Sequence, residues 1–522
     1  MANTPGVNIT VSAAAASPRS NTPTATWFVV GSAAGVSGVA VPVNSMTDFV
    51  TYFGKYDAKG NQGRYNTGTV DSSLLYDALD VFFREGGINA YVSLFPRSGG
   101  SSAAATVNVG KVTLTAFGKG AWANSAAGSA AGLILNTTLV SGSGSSAIMT
   151  ATISFNGVTM ATSPSLGSET DLINWIESLP RYQSMMTASA YGAGTTAWGT
   201  AATTYLAGGV DGSGNDSTAT STSSLDVFSE LFGPGQVSAP GITDGTTYAN
   251  LTKHAMATNR VAVLDGGLNA SASTLTTSVT TLQGVANVDP SYAAMYAPWL
   301  IVPAPVNTNP GAAVSVFNRT VAPSALAAAK FAVTDQANDC NVPSAGVGPG
   351  QSNYAVALSG TAFTASVFAS LNAGGVNVIR NVPNVNVIAI YGSRSCALDQ
   401  NWVYFNNCRF RMQVIRDFDI IAESFVFDEI DGRGQIFARL NGAIAGQCQA
   451  YWTRKSIYGA FPSDAFQVNT GTTINTPATI AAGQINAQVN LRLAPFGEYV
   501  NVQVTKYLAS AALPNYTNTP LI

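Results

Sequence analysis

The apolar positions near the start of the chain predict a strand–helix–strand unit. Residues 27–30 form a short continuous apolar run, which is typical of a strand buried on both faces. Leu75, Leu79 and Phe82 recur at intervals of four and three residues, the spacing of one face of a helix. Residues 90–95 then return as a second apolar run. A unit of this kind indicates an α/β sheet, and residues 261–264 and 385–391 predict further core strands.

A different pattern begins at about residue 101. Residues 120–168 contain no Asp, Glu, Lys or Arg and are rich in Ala, Gly, Ser and Thr. Residues 150–155 alternate between polar and apolar, which predicts a strand, and Asn156 and Gly157 after them form a typical hairpin turn. We therefore expect residues 101–210 to be a β-rich domain inserted into the α/β core.

The C-terminal part is predicted to be an α+β domain with two amphipathic helices. Residues 380–466 hold 17 of the chain's 51 charged residues, and two sets of apolar positions within them recur at helical spacing. The first set is Phe405, Cys408, Met412 and Ile415, and the second is Phe437, Leu440, Ile444, Cys448 and Tyr451. A strand is expected within residues 485–493.

Both ends of the chain are predicted to be extended arms. Residues 1–24 contain three prolines and one charged residue, so a continuous helix is excluded. Apolar and polar residues alternate near both termini, which is a strand pattern. The apolar members are Val7, Ile9 and Val11 at the start and Val500, Val502 and Val504 at the end. A terminal strand without a local partner can pair with a sheet in another subunit.

Composition narrows the class of protein. Only 10% of residues are charged, against about 25% in an average globular protein. The net charge of −3 excludes a strongly basic nucleic-acid binder, so no direct nucleic-acid contact is expected. Glycine, serine and proline interrupt the apolar stretch 26–43, so no membrane insertion is expected. A surface so poor in charge suggests extensive contact with other copies of the chain.

No residue pattern predicts catalysis, a cofactor or a metal. His254 is the only histidine in the sequence. The residues around it match no nucleophile motif, so His254 is interpreted as a helix-surface residue. Residues 211–216 resemble the start of a calcium loop, but the glycine and glutamate that the loop requires are missing at positions six and twelve. Arg409, Arg411 and Arg416 allow two interpretations, a solvated helix face or a docking patch.

Motifs in the same order along nearly the whole chain resemble the contractile tail sheath proteins of bacteriophages and related injection machines. Pro5, Gly6 and Val7 resemble the opening strand of that family. Two later motifs of the family are similar to stretches of this chain. One is the helix end and strand at 82–92, and the other is Trp402 with Tyr404 and Asn406 at a helix start. Further similar stretches are 41–43, 47–54, 239–244, 263–265, 296–300, 371–380, 465–468 and 475–477.

The resemblance implies a structural subunit that stacks as rings into a helical tube around a tail tube protein. Contraction would drive that tube through the host envelope for genome delivery, without a nucleotide. It implies that the two arms add strands to sheets of neighbouring subunits. The residues expected to do so are Pro5, Gly6, Val7, Ile9, Val11, Val500, Val502 and Val504. Arg409, Arg411 and Arg416 are expected at the tube. Baseplate and tail terminator proteins would be further partners, in a virion tail assembled in the host cytoplasm.

The domain order expected from these patterns has five parts. They are an N-terminal arm (1–24), the first part of an α/β core (25–100), the inserted outer domain (101–210), the second part of the core (211–379) and the C-terminal inner assembly domain with its arm (380–522). Two other functions stay open at this stage. One is a static shell component of capsid or surface-layer type, and the other is an α/β enzyme with an inserted domain.

Overall fold

The computed structural model describes residues 23–31, 35–53, 74–95, 97–98, 100–107, 112–190, 198–210, 214–215, 223–304, 317–360, 363–383 and 385–497. Its strands are β1 (Trp27–Gly31), β2 (Val41–Val43), β3 (Ala90–Leu94), β4 (Arg97–Ser98), β5 (Ala104–Val107), β6 (Val112–Ala116), β7 (Leu133–Ser141), β8 (Ile148–Phe155), β9 (Val158–Thr162), β10 (Met186–Ala190), β11 (Ala202–Tyr205), β12 (Gly214–Asn215), β13 (Gln236–Ser238), β14 (Val261–Asp265), β15 (Ala293–Ala297), β16 (Leu300–Pro303), β17 (Asn318–Val321), β18 (Ala357–Leu358), β19 (Val376–Val382), β20 (Val387–Ile390), β21 (Phe466–Asn469) and β22 (Gln488–Leu491).

The α-helices are α1 (Met46–Phe53), α2 (Leu74–Arg84), α3 (Glu169–Ser178), α4 (Arg181–Ser184), α5 (Ser223–Asp226), α6 (Gly245–Ala257), α7 (Ala272–Gln283), α8 (Pro323–Ala337), α9 (Ala365–Ala373), α10 (Phe405–Glu423), α11 (Gln435–Thr453), α12 (Pro462–Ala465) and α13 (Pro477–Ala481). Among the residues described, no helix combines the length and apolarity needed to cross a bilayer.

The core is a mixed sheet with the strand order β2-β3-β1-β13-β14-β15-β19-β20. Neighbours from β3 to β19 are parallel, whereas β2 and β20 are antiparallel edge strands. Every residue of β1, β14 and β15 is buried, as expected for parallel strands covered on both faces. The α/β core is therefore confirmed. The apolar run at 385–391 forms an edge strand, β20, rather than a central one.

Alternate residues of each strand enter two apolar clusters, one on each face of the sheet. Trp27 and Val29 pack with α2 and α8, whereas Phe28 and Val30 pack on the side of α6, α7 and α9. Helix α8 is buried almost all round, and its run of alanines lets it lie close to its neighbours. This all-round burial explains why α8 lacks the apolar stripe of a surface helix.

Asp265 connects the sheet to the start of α8. Its Oδ1 accepts a hydrogen bond from the Ser324 backbone N–H (2.6 Å), and its Oδ2 accepts from the Ser324 hydroxyl (2.8 Å) and the Gly241 N–H (2.9 Å). Burial raises the pKa of Asp265 to about 6. The three donors and the positive end of α8 favour the carboxylate and offset part of that cost.

Residues between 101 and 210 form mainly antiparallel sheets, with strand orders β10-β6-β5 and β11-β7-β8-β9. Asn156 and Gly157 connect β8 to β9 with φ angles of 48° and 81°, so the predicted hairpin turn is confirmed. Leu135 and Ile153 of this region belong to the same apolar cluster as Val29 of the core. The limits of a separate inserted domain stay a prediction.

The C-terminal part contains both predicted helices, α10 and α11, and a two-stranded antiparallel sheet of β21 and β22. Phe405, Cys408 and Met412 are buried on α10, but Ile415 is 44% exposed, so the predicted apolar seam ends one turn early. The strand expected within 485–493 is β22. Most of the N-terminal arm and the strand expected at 500–504 lie outside the residues described.

We expect Asp265→Asn to lower the stability of the core by about 2–3 kcal/mol, because an amide turns at least one N–H toward groups that already donate. The measurement is the midpoint of urea unfolding, followed by circular dichroism. Asp244→Asn is the matched control. Asp244 caps α6 by accepting from the Thr247 N–H, and Asn caps helices about as well as Asp. Equal losses in the two variants would contradict the role assigned to Asp265.

Candidate assembly surfaces

A buried ion pair attaches the C-terminal helices to the α/β core. Arg409 of α10 is 1% exposed, and its Nη2 lies 2.6 Å from Oδ2 of Asp335 at the end of α8. The guanidinium also stacks on Phe331, with Cζ 4.1 Å from the ring centre. Burial raises the pKa of Asp335, and Arg409 offsets only part of that rise. An ion pair removed from water in this way holds α10 in one position, since either charge alone would be costly to bury.

Polar contacts next to this pair extend the joint between core and C-terminal part. Asp339 accepts a hydrogen bond from the Ser456 hydroxyl and lies 3.2 Å from Nε of Arg454. Asn341 donates to the Ser456 carbonyl (3.3 Å) and accepts, through its own carbonyl, from the Asn406 side chain (2.8 Å). The short segment after α8 is thus bonded to both α10 and the end of α11.

The structure separates the three arginines that were expected at the tube. Arg409 is corrected to an internal residue, because its guanidinium is enclosed between α8 and α10. Arg411 is partly buried; it donates to the Ser291 hydroxyl (3.0 Å) and stacks on Tyr292 at 3.8 Å. Arg416 has a side chain 38% exposed, 3.5 Å from Asp417 of the same helix. Contact with a tube stays a prediction, and Arg416 is the most accessible of the three.

The residues predicted to add strands lie outside the described part of the chain. They are Pro5, Gly6, Val7, Ile9, Val11, Val500, Val502 and Val504. The structure does describe a sheet that could accept them. Among the described residues, β21 and β22 form a sheet only with each other, so no further strand pairs with the outer edge of either. Val468 and Val489 turn the apolar face of this sheet toward Leu440 and Ile444 of α11.

His254 has a structural role that the sequence did not predict. It is partly buried rather than on the helix surface, and its Nε2 lies 2.9 Å from Nη1 of Arg260. Arg260 is fully buried and donates to the carbonyls of Phe228 (2.5 Å), Ser229 (2.7 Å) and Gly233 (3.0 Å). Burial and the nearby Arg260 lower the pKa of His254 to about 4. A neutral His254 therefore accepts from Arg260 and helps to hold the loop between α5 and β13.

In the part of the chain that the structure describes, no three or more His, Cys, Asp or Glu side chains are grouped to hold a metal ion. Cys340, Cys396, Cys408 and Cys448 are free and buried, and burial raises the pKa of each thiol. Thiols of this kind stay protonated near neutral pH and are poor nucleophiles.

The fold is similar along its whole length to solved components of contractile injection systems. A chain of the anti-feeding prophage (AFP) baseplate, six-fold symmetrised, superimposes with a TM-score of 0.53 at 16% identity, covering 97% of this chain and 100% of its own. The AFP helical sheath in the contracted state superimposes with a TM-score of 0.53 at 16% identity, covering 97% of this chain and 99% of its own. The PVC sheath complex of an extracellular contractile injection system, also in the contracted state, superimposes with a TM-score of 0.51 at 18% identity. The match covers 97% of this chain and 98% of the other.

The chain has the fold of a contractile sheath protein. The resemblance drawn from the sequence motifs is confirmed at this level, over 97% of the chain. No protein-family model matches the sequence, and no curated protein sequence matches it. At identities of 16–18% the three-dimensional arrangement carries the likeness.

Arg409→Ala is expected to destabilise the chain by about 3–5 kcal/mol, because it leaves the Asp335 carboxylate buried without its cation. Arg416→Ala, the matched control on the same helix, should change stability by less than about 0.5 kcal/mol. Thermal unfolding of both variants is the measurement. The double variant Arg409→Met with Asp335→Leu should recover much of the loss, since no charge then remains buried. Equal stability of the two single variants would contradict the anchoring role of Arg409.

His254 predicts a specific pH dependence. Its folded pKa of about 4 lies below the unfolded value of 6.5, so the unfolded chain takes up the proton first as pH falls. Stability should therefore decrease between pH 6.5 and pH 4, by at most about 3 kcal/mol from this group. His254→Gln retains a hydrogen-bond acceptor and removes the titration. The difference in urea midpoint between wild type and variant, measured across this range, should change with pH; parallel curves would refute the assignment.

Proposed function

We propose that this protein is the structural subunit of a contractile tail sheath. Its copies polymerise as a helical tube around an inner tail tube, and contraction of that lattice drives the inner tube through the host cell envelope. The observation that carries the proposal is the match over 97% of the chain to sheaths solved in the contracted state, with nearly all of their length covered in return.

The distribution of charge supports an assembly of many copies. Several of the chain's few charged groups are used inside the fold, so they do not contribute to a solvated surface. Arg319 bonds Asp77 and Asp80, and Lys330 lies 2.8 Å from Glu85, all with side chains less than 10% exposed. A surface with so little charge loses little solvation when it packs against an identical surface.

Strand addition would keep such a lattice connected while it rearranges. The outer edge of β22, free of a further strand within the described residues, offers backbone donors and acceptors, and the arms carry the alternating pattern of a strand. On β21 the Val468 carbonyl already accepts from the Asn441 side chain. Backbone pairing does not depend on side-chain identity. Strand pairing between subunits therefore tolerates a rotation of the remainder of each subunit. The energy for contraction would be stored in a metastable extended lattice, so no nucleotide would be needed.

Further parts of the proposal follow from the family resemblance. Residues 101–210 would face outward, and residues 380–522 would form the inner assembly domain. The partners would be a tube protein, baseplate proteins and a tail terminator, in a virion tail assembled in the host cytoplasm. The chain would act without catalysis, in keeping with an internal role for its single histidine.

Negative-stain electron microscopy of the purified chain tests the proposal. Hollow, cross-striated tubes wide enough for an inner tube are expected, either from the chain alone or after a tube protein is added. Flat sheets or closed shells would favour a static shell protein instead. If no preparation formed tubes and small-molecule ligands raised the melting temperature, the α/β enzyme would become the better account.

Removal of residues 1–20 should leave a folded monomer that forms no tubes, because the arm supplies a strand to a neighbouring sheet. The measurement combines circular dichroism with electron microscopy. A control chain in which residues 1–20 are replaced by a Gly/Ser segment of equal length should behave like the deletion, since it restores length without the strand pattern. Long tubes from either variant would show that strand addition by this arm is dispensable.

A further inference from the structure

The edge strand β20 of the core sheet is covered by a short segment of the chain, residues 346–352. Three backbone hydrogen bonds join this segment to the side of β20 that faces away from β19. They run from the Gly346 N–H to the Ile390 carbonyl (2.8 Å), from the Ile390 N–H to the Gly350 carbonyl (2.9 Å) and from the Ser352 N–H to the Ile388 carbonyl (2.8 Å). Backbone groups that a further strand would use are therefore already paired.

The covering segment ends the sheet and does not extend it. Residues 347–350 form turns, and Pro349 has no N–H, so the segment presents no regular strand edge of its own. Its close approach to β20 requires glycine at position 350. A Cβ at Gly350 would lie 2.8 Å from the Ile390 carbonyl oxygen and 2.8 Å from the Ala345 Cα, closer than real Cβ atoms come to backbone atoms.

A buried carboxylate fixes the chain where it leaves the cover. The Glu85 side chain, which follows α2, is 0% exposed and lies 2.8 Å from Nζ of Lys330 on α8. It also accepts hydrogen bonds from the Ser352 hydroxyl and from the N–H groups of Asn353 (3.0 Å) and Tyr354 (2.9 Å). Separating these groups would leave a buried charge without its donors, so the segment is held firmly to the core.

The opposite edge of the core sheet is closed by a different means. Strand β2 is only three residues long, and its central residue is Pro42, which has no N–H to donate to a further strand. Very short edge strands, proline and covering loops are all ways in which proteins protect sheet edges from other chains. Both edges of the eight-stranded sheet are protected, whereas no further strand or covering segment pairs with the outer edge of β22 among the described residues.

We infer that residues 346–352 are an edge cover, which closes the core sheet to strands from other copies of this chain. Without the cover, β20 would offer the edge of the largest sheet in the described structure. With it, strand exchange between copies is directed to the C-terminal sheet. That last consequence rests on the proposed function, in which the terminal arms add strands. The protection of β20 does not depend on it and can be tested whatever the chain assembles into.

Gly350→Ala should open the edge without changing any side chain of the core sheet, because its Cβ meets backbone atoms of the edge itself. Gly446→Ala is the matched control, since the same Cβ on α11 meets no atom within 4 Å outside its own helix. Hydrogen–deuterium exchange of the full chain is the measurement. The Ile390 N–H should exchange about tenfold faster or more in Gly350→Ala and at the wild-type rate in Gly446→Ala.

A disulfide that locks the cover gives the opposite perturbation. Gln351 and Ala389 face each other across the cover and β20 as an antiparallel pair, and the hydrogen bonds run between their neighbours. The Cα atoms of such a pair are about 4.5 Å apart, a distance that a disulfide bridges. The double variant Gln351→Cys with Ala389→Cys should therefore lock the cover when oxidised and release it when reduced. The four native cysteines are buried and unpaired.

Aggregation just below the melting temperature, followed by light scattering and electron microscopy, measures strand pairing at the open edge. Gly350→Ala should form irregular aggregates about tenfold faster than wild type, and Gly446→Ala should not. The locked variant should aggregate more slowly than wild type when oxidised and at the wild-type rate after reduction. If Gly350→Ala does not fold, the locked variant decides the question alone.

The results separate the cover from the sheath. Faster aggregation of Gly350→Ala together with protection by the lock supports the cover, and absence of tubes from the wild type would then count against the sheath only. Fast Ile390 exchange without extra aggregation would show that an open β20 edge attracts no strand, which overturns the cover. Equal Ile390 exchange in the two glycine variants, or equal aggregation of the locked variant before and after reduction, would also overturn it.

Discussion

The burial of α8 is the constraint on which the other parts of the molecule depend. Asp265 holds the start of this helix against the sheet, and Asp335, near its other end, holds Arg409 of α10. Lys330, midway along it, pairs with Glu85 after α2. An apolar helix of alanines could slide along its neighbours with little loss of contact. Charged groups at defined positions oppose that sliding, because any displacement would separate a buried charge from its partner.

Much of the fold could be predicted because it depends on local pattern. Continuous apolar runs identified β1 and β14, helical spacing identified α2, α10 and α11, and the Asn156–Gly157 turn fixed the hairpin of β8 and β9. The fold family was predictable as well, since its motifs keep their order along the chain. Each of these signals lies within a few residues or in the linear sequence of motifs.

Where side chains lie elsewhere than their local pattern indicates, the reason is packing that local pattern does not show. Arg409 looks like a surface arginine on a charged helix until Asp335, 74 residues earlier, is placed beside it. His254 was interpreted as exposed because its neighbours in sequence do not show that the carbonyls of Phe228 and Ser229 hold Arg260 beside its ring nitrogen. The end of the apolar seam at Ile415 has the same cause, since the later part of α10 places Val414 and Phe418, rather than Ile415, against the apolar clusters of the C-terminal part.

Helix α10 is anchored to the core near its start, and its later residues, Phe418 and Ile421 among them, pack in the apolar clusters of the C-terminal part with α11. Its buried anchor is Arg409, in its second turn, and the remaining 14 residues to Glu423 span about 21 Å. Because α10 and α11 are packed and hydrogen-bonded together, the two helices would turn about this anchor as one lever. A rotation of about 10° at the anchor would move the far end by 3–4 Å, on the order of the distance between neighbouring residues in a strand. Small angular changes in the core would in this way become steps large enough to exchange one set of contacts between subunits for another.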